Sequence, residues 1–401
     1  TMKKHLKTFI FTALACTLLL GTGISAEAAE KVSKVAINDE NFAWAVKEYA
    51  DQADTNKDGF LSKKEASKIT SVEFNSPYNI DSLKGIEYFT EIKDFTYQAY
   101  DASGDYGRHK IYENSTVEEI DLSGFKKLNT VYIQSSTPYL QTVNLKNCTN
   151  LKELDITGQV EDGNVDKLNI KGCSNLQKLT LSYINIKTLK LTDMNKLADV
   201  YILAKPMETL NIKRCPAIRS LCVDSDRLIS FKQKDTDKLE DLSILSKSLK
   251  TVNLRKNHSL KKLYLYMPEL TSLNVKNNKR LEKLTLFNTN VSSLDLRNNK
   301  NLIKVHCRQT PALKELRLEK CTKLKNLRIE DTGLSRLNVK KNRNLLRLRC
   351  ENTPISKLNL KNNTKLRSLR CKGTKISKLD LSNTSIINVS HDDGVSVIYP
   401  E

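Results

Sequence analysis

The sequence predicts a mainly β fold, a solenoid of short parallel strands in two sheets preceded by a small helical unit, on three observations. The first is a repeated line: LNVKNNKRLEKLTLFNTNVSS, residues 273 to 293, recurs with small changes down most of the 401 residues. The second is its period, two half-units of about 10 and 11 residues, each of the form L-x-L-x-x-N/T/C, which is too short for any globular domain and fits a stacked coil. The third is the alternation inside each L-x-L, which points two apolar side chains inward and one outward, as a short strand requires.

In chain order, residues 1–28 read as a secretory signal. Lys3, Lys4 and Lys7 precede an apolar run from Phe9 to Leu20, and Ala26-Glu27-Ala28 supplies a small-residue cleavage site. No later segment reaches the ~18 apolar residues of a membrane span. The expectation is a secreted, extracellular or loosely wall-associated chain.

Residues 29–91 hold the small helical unit. Phe42, Val46 and Tyr49 share one face of an amphipathic helix, and directly behind it stands Asp54-Thr55-Asn56-Lys57-Asp58-Gly59-Phe60-Leu61-Ser62-Lys63-Lys64-Glu65. This run matches the EF-hand calcium loop at every defined position. Calcium wants six to eight oxygens, so Asp54, Asn56 and Asp58 offer side-chain oxygens on alternate residues, Phe60 its carbonyl, Ser62 a direct or water-mediated oxygen, and Glu65 two more. A second helix is expected from about Ser62 to Ile69. A single loop of this kind outside the cell reads as a structural calcium clamp on an N-terminal cap.

Residues 92–385 form the solenoid, about 13 coils from a first half-unit at Ile92 to Tyr97, with a polar insertion at Asp101 to Ser115. Residues 386–401 are its C-terminal cap. The repeats resemble the short, nested leucine-rich repeats of secreted bacterial proteins. With the signal and the EF-hand-like cap, the whole resembles internalin-like surface proteins of Firmicutes. That resemblance implies a calcium-stabilised binding protein that recognises a host or envelope macromolecule.

Repeat phase also assigns the cysteines. Cys148, Cys173, Cys215 and Cys321 fall where other coils carry Asn257, Asn278, Asn299, Asn342 and Asn363, while Cys307, Cys350 and Cys371 replace an inward Leu. Parallel neighbours point the same way, which favours buried thiols over disulfides, and only Cys222 faces outward.

The outward positions form two columns. One is mostly Asn and Asp. The other reads Tyr132, Tyr201 and Tyr264 and then His306, Arg328, Arg349 and Arg370, and is the better binding face because Tyr and Arg dominate interface energetics. The formal charge is +20, and residues 301–401 hold 22 basic against 9 acidic side chains. The partners this suggests are a protein, a glycan or an anionic wall polymer, with no specific nucleic acid and a monomeric chain. The alternative to specific recognition is a structural wall protein held electrostatically to anionic polymer. Five scattered histidines and no nucleophile-base arrangement give no sign of an enzyme.

Overall fold

The computed structural model describes residues 46–57, 62–75, 80–99, 115–159 and 164–401. The signal segment, Phe42, Asp58, Phe60 and nearly all of the insertion at 101–115 lie outside them. Two compact units divide the chain, Thr1–Ile186 and Lys187–Glu401.

In the first unit, helix α1 (Lys47–Ala53) leads into residues 54–57, and after the undescribed loop centre comes helix α2 (Lys63–Ala66). The second helix is one turn, shorter than the span to Ile69 that the sequence suggested, because Ser67 closes it and the chain re-enters as a strand at Ser71. An intact EF-hand unit is therefore not what the described residues display. The strand Ser71–Asn75 was not anticipated, although Val72 and Phe74 alternate inward. It pairs in parallel with Asp94–Ala99, and the rings of Phe74 and Phe95 meet edge-on at 5.9 Å. Thr130–Ser135, Glu153–Thr157 and Lys178–Ser182 extend this main sheet, each strand parallel to the last. The opposite side carries Glu119–Asp121, Thr142–Asn144 and Lys167–Asn169.

In the second unit the main sheet runs unbroken through ten parallel strands, from Asp199–Leu203 to Asn388–Ser390. Its register defines the repeat: Leu242, Leu263, Leu284, Val305, Leu327, Leu348 and Leu369 pair in succession, so each coil is 21 or 22 residues. All are 2% exposed or less and form one side of the core. The other side departs from the expected second sheet. It contains a three-stranded piece (Thr188–Thr192, Thr209–Lys213, Ser230–Lys234), two pairs (Ser293–Asp295 with Glu315–Arg317, Lys378–Asp380 with Ser396–Ile398), and unlaid extended chain between them. Segment 386–401 thus contributes a strand to each side.

The side chains of the Asn and Asp column bear on how far strands on this side run. Oδ1 of Asn253, Asn274, Asn338 and Asn359 each accepts the backbone N–H two residues on, at 3.1 Å. Asp295 and Asp380 make the same turn at the ends of paired strands, so it stops a strand at three residues and does not by itself prevent pairing. Where Lys190 and Lys232 stand in that column, no acceptor is available and the strands run five residues.

Under these turns lies a buried amide ladder. Asn299 Nδ2 donates to the carbonyls of Val275 (2.9 Å) and Asn278 (2.8 Å), and Asn278, Asn342 and Asn363 repeat the pattern. Cys321 takes the same place with a thiol 3.3 Å from the Leu296 carbonyl, and Cys148, Cys173 and Cys215 do likewise. Cys307, Cys350 and Cys371 are buried in the main-sheet core, Cys222 is half-buried on its outer face, and all eight described cysteines are free thiols. Main strands end on a left-handed residue in successive coils: Asn288, Gln309, Asp331, Asn352 and Gly373, with φ from 49° to 69°. At Gly373 a Cβ would also lie 2.4 Å from Asn352 Oδ1.

Candidate functional site

The outer face of the second unit's main sheet presents two neighbouring columns, because strands of five or more residues have two outward positions that follow the first. In the inner column Tyr201, Cys222, Ser243, Tyr264, Thr285, His306, Arg328, Arg349 and Arg370 are consecutive cross-strand neighbours. The column read from the sequence is therefore brought together in register over this unit. Tyr132 belongs to the first unit, where it pairs with Asp155 and donates to Gln134 Oε1 at 2.9 Å.

The second column escaped the sequence reading, which took only the middle residue of each L-x-L as outward. Leu245, Tyr266, Phe287, Arg308 and Glu330 follow one another there. The rings of Tyr266 and Phe287 are 5.5 Å apart, and the Arg308 guanidinium carbon lies 5.7 Å from the centre of the Phe287 ring, a cation–π contact. Arg308 Nε also donates to Glu330 Oε2 at 3.1 Å.

Glu330 alters the character of the basic stripe. It is only 5% exposed although it sits on the outer face, covered by Arg308, by Arg328 at 2.6 Å and by Arg349 at 4.0 Å. Burial pushes its carboxyl up, but the hydrogen bond and charge of Arg328, with Arg308 and Arg349, outweigh this and hold it below the usual carboxylate value. One carboxylate thus orders three guanidinium groups. Arg328 Nε and Glu330 Oε1 are buried and make no hydrogen bond among the described residues. Beside it, burial and then the charges of Lys304 and Arg328 lower the His306 imidazole to about 4. At neutral pH His306 is an uncharged, half-buried ring between the aromatic and arginine portions.

At the cap, Glu65 is 5% exposed and draws the two ends of the loop together. Oε1 accepts the Thr55 N–H (3.0 Å) and hydroxyl (3.1 Å), and Oε2 accepts the Ser62 N–H (3.0 Å) and hydroxyl (2.9 Å). The Ser62 hydroxyl in return accepts the Glu65 N–H, completing a capping box on α2. Burial raises the Glu65 carboxyl, but these four bonds dominate and bring it to about 2. Asp54 accepts the Lys57 N–H at 2.8 Å, and Asn56 is exposed. Among the described residues no cluster of three or more metal-ligating side chains is complete, and Asp58 and Phe60 lie outside them.

No family model matches the chain, and no curated protein matches it by sequence. Among solved structures it is similar to the functional domain of InlJ from Listeria monocytogenes, which includes a cysteine ladder. Identity is 20%, coverage is 86% of this chain and 76% of that one, and the TM-score is 0.57. It is also similar to an internalin (inlF) of the same organism, at 17% identity over 88% of this chain and 94% of that one, with a TM-score of 0.53. These likenesses establish the fold, a leucine-rich repeat solenoid of internalin type with repeats of about 21 residues. No helix among the described residues is long and apolar enough to cross a membrane.

Proposed function

We propose that this chain is a secreted or surface-associated binding protein, without catalytic activity, that recognises a host or envelope macromolecule through the outer face of the second unit's main sheet. The observation that carries this reading is the unbroken register from Tyr264 to Arg370, with Tyr266, Phe287 and Arg308 alongside and Glu330 beneath. Aromatic rings there expose apolar area at low entropic cost. The arginines are already ordered by a buried carboxylate, so less freedom is lost on binding.

The test is capture from host and bacterial surface extracts by wild type, by Tyr264→Ala and by Arg370→Glu. The reading requires a defined partner that both variants release while keeping wild-type thermal melts. An unchanged set of captured molecules would overturn it, and so would hydrolytic turnover that a point change abolishes.

Calcium at the cap belongs to the same proposal. Glu65 supports it, since a fully ionised carboxylate already stands between the two ends of a loop that carries Asp54 and Asn56. Bound calcium would supply the positive charge that offsets the repulsion among Asp54, Asp58 and Glu65.

A further inference from the structure

A second charged surface lies away from the sheet face. In the second unit, six successive turns lead from the broken side to the main sheet, at 255–259, 276–280, 297–301, 319–323, 340–344 and 361–365. Together they carry fourteen Lys or Arg and a single carboxylate, Glu319. Of these cations only Arg297 is ion-paired among the described residues, to Asp295 at 2.7 Å, and all the others are exposed. With coils ~4.8 Å apart, the row is ~24 Å long and holds about one cation per 2 Å, close to the charge spacing along a nucleic acid duplex.

Such a row would ordinarily splay by self-repulsion, yet its backbone is tied coil to coil. Asn277 Nδ2 donates to the Arg255 carbonyl (3.1 Å), Asn301 to Lys279 (3.0 Å), Asn344 to Thr322 (2.9 Å) and Asn362 to Lys340 (3.3 Å). The buried amide ladder pins the same turns from beneath. Like charges are thus held at fixed spacing on a rigid support, which lowers the entropy lost when a chain of opposite charge lies along it.

We infer that this ridge is a binding edge for a linear phosphodiester polymer without bases, separate from the sheet face. Three features select that class. Lysine outnumbers arginine by ten to four in these turns, and lysine binds phosphate as a point charge where carboxylate pairing favours the arginine fork. No aromatic residue occurs in the six turns except the imidazole of His258, so nothing stacks the bases of a single-stranded nucleic acid. The exposed hydroxyls of Thr322 and Thr364 and the half-buried one of Ser259 offer hydrogen bonds to polyol hydroxyls.

The experiment measures binding of the full chain to poly(glycerol phosphate), with heparin, a single-stranded oligonucleotide and polyglutamate as competitors. It compares wild type, a ridge variant (Lys320→Glu, Lys323→Glu, Lys340→Glu, Lys341→Glu), the same four changed to Gln, and a sheet-face variant (Arg349→Glu, Arg370→Glu). Engagement of about four phosphates predicts a loss of about 100-fold in affinity between about 50 and about 200 mM salt. The ridge variants lose at least tenfold with unchanged melts, the sheet-face variant less than twofold, and both ridge variants still capture the partner of the sheet face. Equal losses from ridge and sheet-face changes would overturn a separate edge. Heparin, oligonucleotide or polyglutamate competing better than poly(glycerol phosphate) itself would overturn the phosphodiester assignment.

Discussion

Arg328 and Glu330, two residues apart on one strand, form an ion pair of 2.6 Å on the outer face of the sheet, with the Glu330 side chain 7% exposed. A carboxylate this well covered is held by the guanidinium groups above it, so removing it leaves three cations facing one another. Glu330→Ala is expected to lower stability by about 2–4 kcal/mol, whereas Arg328→Met with Glu330→Met returns to within about 1 kcal/mol of wild type. Urea unfolding of the single and double variants measures this, and full additivity would show that the pair does not act as a unit.

His306 gives a pH signature. An unfolded imidazole takes up a proton near 6.5, but the folded one does so only near 4. Between these values the unfolded chain binds more protons, so stability falls as the pH drops from 6.5 to 4 and is unaffected by this group above 7. After allowing for solvent screening of a half-exposed ring, the loss is about 1 kcal/mol. The comparison is the difference in urea midpoint between pH 7 and pH 4.5 for wild type and His306→Gln. The variant should show the smaller difference, and identical pH dependence would contradict the assignment.

The cap separates an ion from a hydrogen-bond network. Glu65→Ala removes four bonds and is expected to destabilise the first unit by about 2 kcal/mol even in chelator. Asp54→Ala, which leaves the capping box intact, should matter chiefly when calcium is present. Calcium should raise the melting temperature of wild type and of neither variant. A wild-type melting temperature indifferent to chelation would remove calcium from the cap.

The buried ladder makes a prediction about interchangeable residues. Asn299→Ala strips donors from two buried carbonyls and should cost about 2–4 kcal/mol. Asn299→Cys should cost about 1 kcal/mol less, since the thiol at Cys321 already serves the Leu296 carbonyl in the next coil. Thermal melts under reducing conditions rank the two, and equal destabilisation would show that the thiol does not substitute for the amide.

Much of this was legible before any coordinates. The phase that equated Cys321 with Asn299 placed both in one ladder, and the alternation that pointed Arg328 outward set it beside Arg349. The broken side is not legible in the periodicity, which marks inward residues and not which extended segments pair with their neighbours. Asn253 and Asp295 fit the same pattern and both accept the N–H two residues on, yet only Asp295 lies in a paired strand. Glu330 was missed for a related reason: a lone acid in a basic segment reads as surface, and its burial depends on three arginines from three strands. The short α2 reflects competition from Ser71–Asn75, whose pairing with Asp94–Ala99 fixes where the helix must end.

From Asn288 to Gly373 successive coils close with a left-handed residue, and Asn278, Asn299, Asn342 and Asn363 each bridge to the coil before. In this stretch a coil is therefore a cassette whose ends match those of its neighbours. Excising residues 274–294 would join Leu273 to Asp295 and set Asn299 directly on Asn257 with no seam in either column. Length in this molecule is adjustable in whole steps of one coil, and a gene encoding it could gain or shed recognition surface by recombination between copies of its own repeat.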